Sequence, residues 1–142
     1  MKTAPMEAAP VAIPNLERSI RVLIVDDEPP FTEMVQALLE VEHGIEVVAT
    51  AADGKQAVEL ALELAPDVIV MDISMPVMDG LDATREIREQ DPTASILILT
   101  GSLNTAEVDK ARTVGAAGYL TKDRIAGELV AEIRNLGSHN GR

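Results

Sequence analysis

The chain has 142 residues, no cysteine, a hydrophobic fraction of 46% and a formal net charge of −12. This length and composition suffice for one domain with a buried core, and the lack of cysteine excludes disulfides and thiolate metal sites. The negative charge argues against binding of this chain to nucleic acid or to an anionic membrane. No apolar run approaches the roughly 18 residues that span a membrane, so we expect a cytoplasmic protein.

The two ends of the chain lack the periodic pattern of the rest. Residues 1–19 contain three prolines and scattered alanines but no continuous apolar core of the signal-peptide type, and we interpret them as a flexible leader. Residues 20–137 are predicted to form a single domain. Residues 138–142 are predicted to be a disordered tail.

The first predicted element is a strand over 21–25, a continuously apolar run. Pro29 and Pro30 suit the first turn of a following helix, and Gly44 is its predicted C-cap. One face of that helix is indicated by the spacing of Phe31, Met34, Val35, Leu38 and Leu39.

The same alternation of strand and helix continues to the end of the domain. Further strands are predicted over 45–50, 67–71, 95–100 and 118–120. Further helices are predicted over 53–64, 80–90, 105–115 and 124–136, the last with Ile125, Leu129, Ile133 and Leu136 on one face. Apolar strands alternating with helices indicate an α/β fold with a parallel sheet covered on both faces. We predict a doubly wound five-stranded sheet with the flavodoxin-like strand order 2-1-3-4-5.

Two adjacent carboxylates, Asp26 and Asp27, follow the first strand directly, and Asp72 follows the apolar run of the third. Ligands of open parallel sheets bind outside the carboxyl ends of the strands, where the strand order reverses. Strands 1 and 3 are neighbours at that reversal, so the three carboxylates should converge. Converging carboxylates raise one another's pKa unless a cation is supplied. Mg²⁺ suits such a site because it prefers oxygen ligands.

Two further polar groups stand at the ends of the remaining strands. Thr100 closes the fourth strand, and Lys122 follows the fifth. A hydroxyl and an ammonium beside a metal and a carboxylate make a place for a phosphoryl group. Each residue alone is more simply interpreted as a turn, cap or surface residue, but their joint placement on one edge of the sheet makes coincidence improbable.

The simpler interpretation does apply to several other polar residues. Turn or cap positions at element boundaries are assigned to Asp53, Asp67 and Asp79. Two histidines, His43 and His139, have no partner at metal-ligand spacing and are interpreted as surface residues.

The strand ends and the polar residues that follow them lie in four stretches of the sequence: "VLIVDDEP", "PDVIVMDISMPVMDGLDA", "ILILT" and "GAAGYLTKD". Together they closely resemble the receiver domain of two-component response regulators, a group that includes the chemotaxis receivers. The resemblance covers roughly residues 20 to 136. Any one of the four stretches alone would be only suggestive.

The resemblance implies which residues bind the metal and accept the phosphoryl group. Asp72 is implied to be the phosphoacceptor, which attacks a phosphohistidine on a sensor histidine kinase or phosphotransfer protein. Asp27 is implied to be a direct Mg²⁺ ligand, and Asp26 to act largely through water. The backbone carbonyl of Ser74 is implied to complete the protein ligands.

The resemblance also implies a conformational switch. Thr100 and Tyr119 correspond to the switch pair, and Lys122 to the lysine that contacts the phosphoryl group. In the family, the side chains at the positions of Ser74 and Ser102 influence how long the phosphoryl group persists.

Two features depart from the commonest receiver pattern. Asp123 follows Lys122 where many receivers have proline, and Gly101 follows Thr100 where alanine is common, which should loosen that loop. The stretch "GYLTKD" resembles receivers that carry a helix-turn-helix output domain.

The leading prediction is a stand-alone receiver, which is not an enzyme but a phosphoacceptor that assists its own phosphorylation and dephosphorylation. It would signal to an unidentified protein target, with a phosphorylation-dependent homodimer as one form of output. A second interpretation is a fragment of a longer DNA-binding regulator, and a third is a phosphorelay intermediate. A Mg²⁺-dependent phosphatase with an aspartate nucleophile would need Asp-x-Asp after the first strand, where this chain has "DDEPP". A flavodoxin-like cofactor binder would need a Ser/Thr/Gly-rich loop there.

Overall fold

A computed structural model describes residues 18–75, 77–101 and 104–139. The predicted leader lies outside the described residues except for its last two positions, 18 and 19. Residues 140–142 of the predicted tail also lie outside them. Among the described residues, no helix is both long and apolar enough to cross a bilayer.

The centre of the domain is a five-stranded sheet with the order β2-β1-β3-β4-β5, which confirms the predicted topology. All neighbouring strands pair in parallel. The strands are β1 (Ile20–Val25), β2 (Ile45–Ala51), β3 (Val68–Asp72), β4 (Ser95–Thr100) and β5 (Gly118–Thr121).

A helix follows each strand. The helices are α1 (Pro29–Glu40), α2 (Gly54–Leu64), α3 (Gly80–Gln90), α4 (Thr105–Thr113) and α5 (Ile125–His139). A short 3₁₀ turn, Lys122–Arg124, joins β5 to α5. The predicted fourth helix ends two residues early, because Gly115 adopts a positive φ of 100° and leaves the helical conformation.

Two apolar layers cover the sheet, and alternate strand residues enter different layers. Leu23 and Val25 of β1 pack in the layer formed with α2, α3 and α4, whereas Val22 and Ile24 pack in the layer formed with α1 and α5. Burying such a side chain contributes about 1.5–3 kcal/mol. The period of two therefore decides which layer each side chain enters. The parallel pairing places the carboxyl ends of all five strands at one edge of the sheet.

The first helix follows its prediction in part. Pro29 and Pro30 occupy its first turn, as predicted. The predicted C-cap at Gly44 is wrong, because the helix ends at Glu40 and Val41 caps it in the right-handed conformation. Gly44 uses its positive φ of 82° in the turn before β2, where its carbonyl accepts a hydrogen bond from the Ile20 N–H at 2.7 Å.

Burial on the predicted face of α1 is uneven. Val35 and Leu39 are fully buried, but Met34 is 45% exposed. The face predicted from spacing is therefore wider than the stripe that the sheet covers.

The last helix is longer than predicted. It includes Ser138 and His139, which the sequence predicts to be part of the disordered tail. Gly137 allows this last turn to lie against β1, since a Cβ at that position would overlap the side chain of Ile20. The contact anchors the C-terminal turn to the sheet.

Candidate functional site

The carboxyl ends of β1 and β3 bring three carboxylates together. Val25 of β1 pairs with Met71 of β3, so the residues that follow them lie side by side. One carboxylate oxygen from each of Asp26, Asp27 and Asp72 lies within 4.8 Å of the others. Asp26 and Asp72 are buried and Asp27 is exposed.

Local hydrogen bonds orient Asp26. Its backbone N–H donates to the carbonyl of Ala51, which extends the pairing with β2. Its Oδ1 accepts a hydrogen bond from the backbone N–H of Glu28 at 2.8 Å, an Asx-type turn that leads the chain into α1. Its Oδ2 accepts a hydrogen bond from the ammonium of Lys122.

The start of α3 supports the backbone of Asp72. The N–H of Gly80 donates to the carbonyl of Ile73 at 3.0 Å. A Cβ on residue 80 would overlap the carbonyl oxygen of Asp72. Only glycine allows this close approach, so Gly80 lets the start of α3 pack directly against the backbone of Asp72.

Lys122 follows the edge strand β5, and its side chain reaches back to the carboxylates at the ends of β1 and β3. Its Nζ lies 3.1 Å from Oδ2 of Asp26 and 3.3 Å from Oδ1 of Asp72. The same nitrogen lies 4.3 Å from the centroid of the Phe31 ring, within the range of a cation–π contact. One ammonium therefore contacts the residue that follows β1, the last residue of β3 and a ring of α1.

The protonation equilibria of the site follow from burial and from charge. Burial raises the pKa of Asp72, the charge of Asp26 raises it further, and Lys122 and the backbone N–H of Ser74 oppose the increase without cancelling it. Burial alone would lower the pKa of Lys122. The hydrogen bond to Asp26 and the charges of Asp72 and Asp26 outweigh that effect and raise it.

An open polar cleft of about 430 Å³ lies in front of these groups. Five of the residues predicted for the site line it: Asp27, Asp72, Ser74, Thr100 and Lys122. Ser74 is exposed, whereas Thr100 is only 6% exposed. The cleft can admit a group of phosphoryl size beside an ammonium, a hydroxyl and carboxylates.

Tyr119 does not line this cleft. It lies on β5, is 36% exposed and borders a small apolar pocket beneath α4. Thr100 borders both spaces, and Val108 and Ala111 of α4 contribute the apolar wall of the smaller one. Thr100 therefore stands between the cleft and the pocket that Tyr119 borders.

The three aspartates predicted at turn or cap positions play two different structural roles. Asp53 and Asp79 are N-caps, whose side chains accept hydrogen bonds from Gln56 and Asp82 N–H groups, as predicted. Asp67 does more than end a turn. Its Oδ2 accepts a hydrogen bond from the backbone N–H of Arg21 at 2.8 Å and joins the start of β3 to β1.

Three further residues named from the sequence are His43, His139 and Ser102. His43 is exposed, as predicted, and its backbone carbonyl accepts a hydrogen bond from Arg134. The side chain of His139 and the whole of Ser102 lie outside the described residues.

Two residues near the site are not predicted as functional by the sequence pattern. Phe31 is predicted only as an apolar residue of α1, although it lies in the first turn of the helix that follows Asp26 and Asp27 in the sequence. Glu107 lines the cleft, and its backbone N–H donates to the N-cap Asn104. Asn104 followed three residues later by a glutamate is a pattern typical of a helix start, and it places Glu107 in the first turn of α4.

The sequence matches the family described as response regulator receiver domain over residues 22–134. LnrK, a transcriptional regulatory protein of Bacillus subtilis, is 37% identical over 122 residues, which are 86% of this chain and 54% of LnrK. A protein-glutamate methylesterase/protein-glutamine glutaminase of Geobacter metallireducens is 41% identical over 112 residues, which are 78% of this chain and 31% of that protein. The chain thus spans about half of one relative and a third of the other.

Solved structures have the same fold. A LuxR-family two-component response regulator from Aurantimonas sp. SI85-9A1 superposes with a TM-score of 0.81 at 40% sequence identity. The superposition covers 85% of this chain and 86% of the Aurantimonas chain. A chain of the CheX–CheY–BeF₃–Mg²⁺ complex of Borrelia burgdorferi superposes with a TM-score of 0.78 at 25% sequence identity. The superposition covers 84% of this chain and 90% of the Borrelia chain.

Proposed function

Because the chain belongs to the response regulator receiver domain family of two-component signalling, we propose that it is a switch controlled by phosphorylation of Asp72. One observation carries this proposal: Asp72 is buried at the end of β3, and its carboxylate lies beside two more carboxylates and the Lys122 ammonium at an open cleft. A carboxylate so placed is a nucleophile that a phosphodonor can reach.

The proposed reaction is transfer of a phosphoryl group from a phosphohistidine of a sensor kinase or phosphotransfer protein. A carboxylate oxygen of Asp72 attacks phosphorus, and the bond between phosphorus and the imidazole nitrogen breaks. The imidazole leaves with the bonding electron pair, and an acyl phosphate remains on Asp72. The ionised form of Asp72 is the reactive one, and Lys122 favours that form by its charge.

The three carboxylates fit a divalent cation, because burial and mutual repulsion raise the pKa of Asp72 until positive charge is supplied. We propose Mg²⁺, held by Asp26, Asp27, Asp72 and the backbone carbonyl of Ser74. Its presence in the related CheX–CheY complex supports this choice. The ion would neutralise charge that develops on the phosphoryl oxygens. A Mg²⁺ titration of the protein should show one weak site that is lost in Asp27→Ala, and unchanged binding would remove Asp27 from the ligand set.

The proposed output follows from Thr100, which stands between the cleft and the apolar pocket. Its hydroxyl can donate a hydrogen bond to a phosphoryl oxygen and draw the loop after β4 inward. Tyr119 can then leave its exposed position and move into the space that this movement opens beneath α4. Such a movement changes the surface of α4, β5 and α5, to which a protein target or a second copy of the chain would bind.

The experiment for this function is a phosphotransfer profile. Autophosphorylated histidine kinases would be incubated in Mg²⁺ with the wild type and with Asp72→Asn, which keeps the shape but is a poor nucleophile. Rapid transfer from a cognate kinase to the wild type alone is the expected result. Equal labelling of Asp72→Asn would refute the assignment of the phosphoacceptor.

A second function is favoured by the relatives. LnrK is a transcriptional regulatory protein of which this chain spans 54%, so we also propose that the chain can be the receiver part of a longer DNA-binding regulator. The length of the native gene distinguishes the two proposals. A phosphorelay intermediate is the third, and it would pass phosphoryl groups on without any change at Tyr119. We propose no turnover of a separate substrate by this chain, and we propose that it acts in the cytoplasm.

A further inference from the structure

We propose that Phe31 is a positioning residue, whose ring holds the ammonium of Lys122 in place for phosphoryl transfer. This inference rests on the proposed function, in which Lys122 contacts the phosphoryl group. It assigns to the chain's only phenylalanine a task that its place on the apolar face of α1 does not predict.

The contact joins two distant elements of the fold. Phe31 lies in the first turn of α1, and its N–H donates to the carbonyl of Glu28 at 3.0 Å. Lys122 lies in the 3₁₀ turn after β5. The lysine Nζ is 4.3 Å from the ring centroid, and the ring itself is half-buried against the apolar layer of α1 and α5. The ring is therefore a fixed surface on which a flexible side chain rests.

The ring differs in kind from the other two partners of Lys122. Asp26 and Asp72 attract the ammonium by full negative charge, and each changes its state in the proposed reaction. Asp72 becomes an acyl phosphate, and Asp26 meets the positive charge of the metal. Phe31 attracts the ammonium through its ring quadrupole and undergoes no such change.

Of the three partners of Lys122, the ring of Phe31 is therefore the one that the proposed reaction leaves chemically unchanged. A lysine side chain loses rotamer entropy when it is fixed, and a partner that is present before and after transfer keeps it ordered throughout. The ring also adds no negative charge that would compete with the phosphoryl oxygens for the ammonium.

A purely structural role for Phe31 makes a different prediction. If the ring only fills space in the apolar layer, its electron density is irrelevant and its shape decides everything. Fluorination separates the two, because fluorine withdraws electron density from the ring face with little change of size. Since the chain has one phenylalanine, growth on fluorinated phenylalanine labels this ring alone.

The first test measures the contact directly. In lysine-labelled protein, whose four lysines give a simple spectrum, the ε-methylene protons of Lys122 should be shifted upfield by the ring face. The shift should persist in Phe31→Tyr, which keeps the ring, and disappear in Phe31→Leu, which keeps apolar volume without it. An unshifted Lys122 signal in the wild type would overturn the proposal.

The second test measures the consequence. The rate of phosphorylation by acetyl phosphate in Mg²⁺ should be highest for the unlabelled protein, lower for the protein with monofluorinated phenylalanine and lowest for the protein with trifluorinated phenylalanine. The total effect should be about two- to fivefold, the size expected of a partly exposed cation–π contact. The same series in Lys122→Met should be flat, because the cation is gone. A flat series in the wild type overturns the proposal.

The two tests also separate this inference from the proposed function. If the unlabelled wild type is not phosphorylated at all, the proposed function fails. The ring-current shift still decides whether Phe31 orients Lys122. If phosphorylation is normal and insensitive to fluorination, only the role of Phe31 fails.

Discussion

The ammonium nitrogen of Lys122 lies 3.3 Å from Oδ1 of Asp72, so the chain's own cation stands beside the carboxylate that we propose as the phosphoacceptor. The two residues are brought together by the sheet, since one ends β3 and the other follows β5. A buried acidic site without a cation would be costly. Lys122 supplies positive charge from within the chain and remains available to a phosphoryl group.

Removing this lysine should destabilise the protein. Lys122→Met keeps the apolar stem but leaves the buried carboxylates of Asp26 and Asp72 without their ammonium. We expect a loss of about 1–3 kcal/mol in the free energy of unfolding at neutral pH, less than the cost of breaking a fully buried pair because the lysine side chain is 24% exposed. Urea denaturation measures this loss.

Two comparisons sharpen this experiment. Lys55→Met, at an exposed position of α2, should change the stability by no more than about 0.5 kcal/mol. Mg²⁺ should stabilise Lys122→Met more than the wild type, because it replaces the missing charge. An identical Mg²⁺ dependence in the two proteins would contradict the proposed place of the metal.

The raised pKa of Asp72 predicts a pH-dependent effect of Asp72→Asn in metal-free buffer. Because the folded state raises this pKa above the unfolded value, folding favours the protonated carboxyl. The favourable contribution is complete below the unfolded pKa of about 4 and is lost as the pH rises through the folded pKa. Asp72→Asn, which is always neutral, should therefore be more stable than the wild type at neutral pH.

Denaturation curves at two pH values check the sign. The stability difference between Asp72→Asn and the wild type should shrink toward zero near pH 4. A wild type that is more stable than Asp72→Asn at neutral pH would mean that Lys122 fully compensates the burial of Asp72.

Substitution by alanine should have opposite effects at two helical glycines, because one lies against the backbone of Asp72 and the other faces open space. Gly80→Ala should cost about 1–3 kcal/mol, because the new Cβ overlaps the carbonyl of Asp72. Gly127→Ala in α5 meets nothing within 4 Å and should stabilise the protein by up to about 1 kcal/mol. Thermal unfolding of both variants measures the two effects. A neutral Gly80→Ala would show that the backbone of Asp72 can move without cost.

The edge of the sheet that carries the site could be predicted from the sequence, because parallel strands put their carboxyl ends on one side. Asp26, Asp27 and Asp72 converge for this reason, and Thr100 and Lys122 follow from the ends of β4 and β5. The helix faces were predictable from spacing. The extent of their burial was not, as the exposed Met34 shows.

The finer features depend on side-chain paths that strand and helix patterns do not describe. The contact of Lys122 with Phe31 requires the length of the lysine stem and the orientation of α1 across the sheet. The bond from Asp67 to the Arg21 backbone depends on register between β3 and β1. The extra turn of α5 depends on the close fit of Gly137 to Ile20, which a sequence pattern cannot reveal.

The half-exposed Tyr119 predicts an observable response to phosphorylation. Beryllofluoride with Mg²⁺ should bind at Asp72, draw Thr100 toward the cleft and bury Tyr119, the chain's only tyrosine. Amide chemical shifts in α4 and at Tyr119 should move together between two positions, as in a shift of populations. Asp72→Asn should show no such change. Shifts confined to the surroundings of Asp72 would indicate a phosphorelay intermediate instead of a switch.

The most direct measurement identifies the phosphorylated atom. The protein would be phosphorylated in Mg²⁺ with a small phosphodonor and then reduced with borohydride, which converts the acyl phosphate of an aspartate to homoserine. Peptide mass mapping should find homoserine at position 72 alone, with Asp26 and Asp27 unchanged. Conversion at another aspartate, or an acid-stable phosphate elsewhere in the chain, would contradict the assignment of Asp72 as the phosphoacceptor.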